Sequence, residues 1–189
     1  MTIINSLFSP TYQNCNRIYY LRHHFNQKQH TFPQTQNMEQ QGSDIIANRY
    51  KNFIKKGCET GIVYALQNHD GFATSASALY ENEQGKPVDI LCFWAEGARA
   101  KSCAINHWSN YQITEIALVD FIENWGVGME NDGIIAGIAF DQKMFGYEAK
   151  PLDLILALVD EIKATKKELQ LQKFENLADL EEQAKIANG

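Results

Sequence analysis

No acidic residue precedes Glu39. The first 38 residues hold only Arg17, Arg22 and Lys28, so that segment carries +3, whereas the remainder, with 14 bases against 23 acids, carries −9. The net −6 of the 189-residue chain is thus an average over two unlike parts. The acidic body excludes the basic stripe of a generic nucleic-acid binder. Cysteine is sparse: Cys15, Cys58, Cys92 and Cys103 form no C-x-x-C pair, which argues for buried thiols in a reducing compartment over a disulfide framework. No run of 18 apolar residues exists, so no segment is expected to span a membrane. The opening MTIINSLFSP is broken by polar residues and proline and lacks the apolar stretch of a secretory signal. These absences together point to a cytoplasmic protein.

Catalytic motifs are missing as well. Gly126-Val127-Gly128 lacks the Gly-Lys-Ser/Thr ending of a phosphate loop and follows a predicted helix instead of a strand. There is no G-x-S-x-G elbow, and Ser75, Ser77 and Ser102 have no nearby His–acid pattern. Cys92 alternates with Leu91 and Phe93 in an apolar strand and reads as inert core. Cys103 and His107, four apart on a predicted helix, would share a face, but a structural zinc needs four ligands and only Cys58, Cys92 and His69 remain as scattered candidates. No metal or other cofactor is expected.

What is present falls into three parts: a leader over 1–40, a domain over 41–163 and a charged helical extension over 164–189. The leader is rich in Asn, Gln and His, and polar amides bury too little apolar area to offset chain entropy, so most of it should be mobile. Three readings of it stand open: an upstream start codon with Met38 as the physiological one, a flexible tail, or an acid-poor targeting peptide. From Ser43 the spacing of Ile46, Tyr50, Phe53 and Ile54 predicts an amphipathic helix, with Gly57 in a stop position.

GIVYALQN then reads as a strand, Asn68 to Gly71 as a turn, and FATSAS as its hairpin partner. Val88 to Trp94 is the expected central strand, followed by a small-sided helix over Glu96 to Asn106 and a short strand over Tyr111 to Ile116. A helix is expected over Leu118 to Trp125, with Gly126, Gly128 and Gly133 punctuating the connection after it. A second hairpin turns around Asp141-Gln142-Lys143, and Pro151 opens the last long helix. The extension beyond it is expected to break near Asn176 and to seat Phe174, Leu177 and Leu180 on a partner or on its own domain. This order predicts a single α+β domain: a mainly antiparallel sheet built from two hairpins and a central strand, with helices to one side.

RYKNFIKK, GIVYALQNHDGFATS, LCFWAEGARAKSCA and DFIENWGVGMENDGIIAGIAF, with the Gly146-Tyr147-Glu148-Ala149-Lys150-Pro151-Leu152-Asp153-Leu154 run, carry a resemblance. Over about residues 45–160 the chain resembles the bacterial family known as domain of unknown function 2750. The resemblance implies a compact α+β fold and a bacterial cytosolic setting, and no catalytic residue.

The constellation most worth weighing is Trp94, Glu96 and Arg99 with Trp125, Glu130 and Asp132. A carboxylate at Glu96 suits a helix N-terminus, and Arg99 can reach it across one turn. Trp94 and Trp125, both predicted beside turns, either support the core or line a recognition groove with Glu96, Arg99 and Asp132. Glu96 with Asp132 could also form an acid–base pair. Two functions follow: a non-enzymatic, adaptor- or immunity-like module binding a protein partner through a groove near Trp94 and Trp125 or through an acidic surface that would steer a basic partner, or a small enzyme or sensor holding a polar metabolite at Trp94, Glu96 and Arg99.

Overall fold

The computed structural model describes residues 33–189, with side chains from Gly42 onward. Helix α1 (Pro33–Thr60) starts ten residues before the expected Ser43. Proline lacks the N–H that a first helical turn leaves unpaired, and the Gln and Met residues after it are good helix formers. The expected leader therefore lies outside the described residues as far as position 32. Gly57 does not stop the helix; it is buried within it. The stop is Gly61, whose φ of 75° lets its N–H return to the Gly57 carbonyl at 2.9 Å.

Strand β1 (Ile62–Asn68) turns through an Asx motif, Asn68 Oδ1 accepting from Asp70 N and Gly71 N. The expected hairpin is shorter than its sequence suggests. Strand β2 (Gly71–Phe72) pairs with β1 for two residues, and β3 (Thr74–Glu81) pairs with β4 (Pro87–Trp94). The switch is at Ala73, whose N–H donates to Leu66 while its carbonyl accepts from Cys92. Strands β1 and β4 pair at Tyr64–Trp94 and Ala65–Phe93, then fork, and Ala73 fills the fork.

Helix α2 (Gly97–Cys103) follows β4, and β5 (Gln112–Ala117) then pairs along β1. Helix α3 (118–132) runs further than expected, because Leu118–Asp120, a π-helical segment Phe121–Gly126 and Val127–Asp132 are continuous. Gly126 is a packing position in this helix, since a Cβ there would stand 2.7 Å from Ile155 Cδ1. Strand β6 (Ile135–Ile138) runs parallel to β4, and β7 (Tyr147–Ala149) pairs antiparallel with β6, the second hairpin as expected. Helices α4 (Pro151–Thr165) and α5 (Leu177–Asn188) complete the chain. The result is an α+β domain with one seven-stranded mixed sheet.

Alternation along β4 divides the core. Leu91 and Phe93 face a cluster built with α1, α3, α4 and α5, while Ile90, Cys92 and Trp94 face a second cluster with Ala100 and Cys103 of α2. Helices therefore cover both sheet faces, not one, because β4 is apolar at every position from Ile90 to Trp94 and must be buried on each side. Among the described residues, no helix is long and apolar enough to cross a membrane.

The extension seats on its own domain. Asn176 caps α5 through hydrogen bonds from Ala178 N and Asp179 N, and Leu180 and Ala184 enter the first cluster. Upstream, the buried Glu123 carboxylate accepts from the backbone N–H groups of Gln172 and Lys173 at 2.8 and 2.7 Å. Truncating the 1 % exposed Leu180 to Ala should cost about 2–4 kcal/mol, whereas Ile186→Ala, at a side chain 74 % exposed, should stay within about 0.5 kcal/mol. Urea unfolding of the two variants checks this; equal midpoints would show that α5 adds nothing to the domain.

Candidate functional site

The carboxyl ends of the parallel neighbours β4 and β6 define one end of the sheet. At that end β4 leads into α2 on one face, while α1 packs on the other, so the chain leaves a crevice where open sheets commonly hold ligands. A cleft of about 330 Å³ lies there, bounded by Arg49 of α1, Arg99 and Ser102 of α2, and Ala139 to Lys143 of the loop after β6.

The loop over 139–146 is held from several sides. Trp94 Nε1 donates to the Phe140 carbonyl at 2.9 Å, and Cys103 Sγ donates to the same oxygen at 3.3 Å. The Phe140 ring lies so close to Gly146 that any Cβ there would overlap it. Gln142 Nε2 donates to the Ser102 carbonyl at 2.9 Å. Ala139 and Met144 adopt φ of 53° and 64°, conformations that cost a non-glycine residue about 1 kcal/mol or more, so the surrounding contacts impose the loop's shape.

Asp141 is the centre of this loop. Its Oδ1 accepts from Lys143 N at 2.9 Å and Phe145 N at 3.1 Å, and its Oδ2 accepts from Arg49 Nη1 at 3.1 Å. Burial works to raise this carboxyl, but the two N–H groups and the guanidinium outweigh it and hold the group below its ordinary value. Arg49 Nη1 also donates to the Phe145 carbonyl at 3.1 Å.

Glu96 sits just before α2, as its sequence position suggests, and accepts from Arg99 Nε at 2.9 Å. It also pairs with Lys56 of α1, so one carboxylate ties helices on opposite sheet faces. Hydrogen bonds from Lys56 first and Arg99 second hold its carboxyl below the ordinary glutamate value. Asp132 lies before the amino end of β6, away from Glu96, so the expected acid–base pair of Glu96 with Asp132 does not form.

The predicted groove does not assemble. Trp94 is fully buried in the second cluster, edge-on to Trp108, because its indole anchors the loop. Trp125 packs on the other face against Phe72 and Phe93, with Nε1 donating to Asp120 at 3.3 Å. Asp132 ends α3 at the amino end of β6, opposite the cleft, and is exposed, as is Glu130. Of the predicted constellation, only Glu96 and Arg99 come together.

Cys103 and His107 separate too, since α2 ends at Cys103 and His107 lies in a short turn over Asn106–Trp108. No cluster of three or more metal-ligating side chains exists among the described residues. Burial pushes the Cys92 and Cys103 thiols up, and Cys58 to about 11, away from nucleophilic thiolates.

Arg49, Ser102, Asp141, Gln142 and Lys143 were not singled out from sequence. The available signal was Arg49 three residues after Ile46 beside the apolar stripe, and an Asp at the head of a turn, whose carboxylate suits local N–H groups. A family model described as "Protein of unknown function (DUF2750)" matches residues 50–158, more than half of the chain. No curated protein and no solved structure is significantly similar to it.

Because the Glu96 carboxyl is held low when folded, it adds stability above its unfolded value near pH 4–5 and loses it as the pH falls through the folded value. Glu96→Gln should therefore be less stable than the parent at about pH 7, with the gap closing below about pH 4. Thermal unfolding from pH 7 to 3 reads this, and a gap that stayed constant would refute the pairing.

Proposed function

The chain belongs to the DUF2750 family, and from that footing we propose that it is a non-enzymatic, adaptor-like module that binds a protein partner through an acidic group placed in the Arg49–Arg99–Lys143 cleft. One observation carries this reading: three cations line a cleft whose only lining carboxylate, Asp141, is consumed by the loop it supports. The loop takes one nitrogen of Arg49 and Glu96 takes one of Arg99. Each guanidinium carries five donors, so both retain capacity for an outside carboxylate or phosphate.

Size and lining favour a protein partner over a small metabolite. At about 330 Å³ the cleft lies at the low end of small-molecule sites, and such sites are mainly apolar, which this lining is not. It suits one charged group presented from outside. Nucleic acid fits poorly, because three cations in a −9 body are a weak electrostatic footprint. The three buried free thiols, Cys58, Cys92 and Cys103, support a reducing bacterial cytoplasm as its setting.

Immobilised full-length chain should retain a stoichiometric partner from native lysate, with retention falling as salt rises. Arg99→Ala combined with Lys143→Glu should weaken it by about tenfold or more, while loss of the exposed Arg99–Glu96 pair costs no more than about 1 kcal/mol of stability. A partner held equally well by that variant would overturn the assignment to the cleft.

A further inference from the structure

Seven large apolar side chains stand exposed among the described residues, and three of them, Ile45, Phe145 and Tyr147, border one seam beside the cleft. Tyr147 opens β7, and Phe145 lies in the loop two residues before it. The Tyr147 ring stacks on Tyr50 of α1 with centroids 4.2 Å apart. The Phe145 carbonyl is bound by Arg49, and Ile45 precedes Arg49 by one turn on the same side of α1. Exposed apolar side chains thus flank the α1–β7 seam, which meets the cations at Arg49. Among the described residues, β7 is also the sheet's edge, pairing only with β6.

We propose that this seam and the cleft form one docking surface for an extended acidic segment of a partner protein, in which carboxylates alternate with aromatic or aliphatic side chains. The proposal rests on the binding function above and adds the chemistry of the partner. Single exposed apolar residues are ordinary on a protein surface, but a group of them continuous with a charged cleft is the pattern of an interaction site. Charge complementarity selects the occupant. An apolar segment without acids would leave Lys143 and the spare donors of Arg99 unused, and a basic one would be repelled by both. A second copy of this chain would bring a −9 body against another −9 body. In an extended segment side chains two residues apart point the same way, so carboxylates and apolar groups that alternate along one face can enter the cleft and cover Phe145 and Ile45 together.

The test is fluorescence anisotropy on the full chain with three labelled repeats, in which residues two apart share a face: Glu-Ser-Phe-Ser (Glu–Phe), Glu-Ser-Ser-Ser (Glu–Ser) and Lys-Ser-Phe-Ser (Lys–Phe). The Glu–Phe peptide should bind about tenfold more tightly than Glu–Ser, and Lys–Phe should not bind. Ile45 and Phe145 are 53 % and 56 % exposed, so the double variant Ile45→Ser with Phe145→Ser should keep the fold, checked by its circular-dichroism melt. It should lower Glu–Phe affinity to the Glu–Ser level and leave Glu–Ser unchanged.

Equal binding of the two acidic peptides, tight binding of Lys–Phe, or a double variant indistinguishable from the parent would overturn the seam while leaving the cleft intact. Acidic peptides that fail to bind, or that ignore Arg99→Ala, would overturn both readings. A concentration-dependent dimer in sedimentation that Phe145→Ser abolishes would assign the seam to a second copy and overturn the acidic segment.

Discussion

The carbonyl oxygen of Phe140 is the point on which the functional end of the molecule depends. Two buried donors from different elements, the Trp94 indole and the Cys103 thiol, converge on it. The Trp94 N–H would be orphaned if the loop moved, at about 1–3 kcal/mol for a buried unpaired group, and the Cys103 thiol would keep only its contact with Ser102. The Phe140 ring, itself 5 % exposed, presses into the space left by Gly146. A loop with two non-glycine residues at positive φ is thereby fixed to the end of β4 and to α2. The cleft inherits its shape from that fixation.

Charge performs a second fixation at the same end. Asp141 draws Arg49 from α1 to the loop, and Glu96 draws Lys56 from α1 toward α2 and Arg99. These pairs are half-exposed, so each contributes little to stability, about 0–1 kcal/mol. Their value lies in placement: the carboxylates pre-orient cations contributed by helices on opposite sheet faces. A cleft whose donors are already positioned loses less side-chain freedom on binding than one that must gather them.

The C-terminal extension lies beyond the family-matched residues 50–158, yet it is part of the core. Leu169, Leu171, Phe174 and Leu177 pack beside the buried Leu180. Glu123, on the π-helical stretch of α3, receives two backbone N–H groups from the strap, which explains how a carboxylate comes to be 4 % exposed without a buried cation. None of this adds to the cleft. The extension completes the helical face, and function concentrates at the far ends of β4 and β6.

Periodicity made most elements legible. The apolar run from Ile90 to Trp94 marked the central strand, Pro151 the start of α4, and Asn176 the break before α5. Glu96 and Arg99 were also readable, because a pair three residues apart at a helix start is a local fact. Gly126 misled, since a glycine that admits a neighbour's side chain has the same letter as one that permits a turn. The sequence by itself determined the α+β class and the buried character of β4, both set by short-range patterns of hydrophobicity. Only the tertiary structure decided that Trp94 is an anchor and that Arg49 and Lys143, 94 positions apart, line the same cleft. That meeting depends on which strands pair and which faces the helices cover, and no local periodicity encodes either.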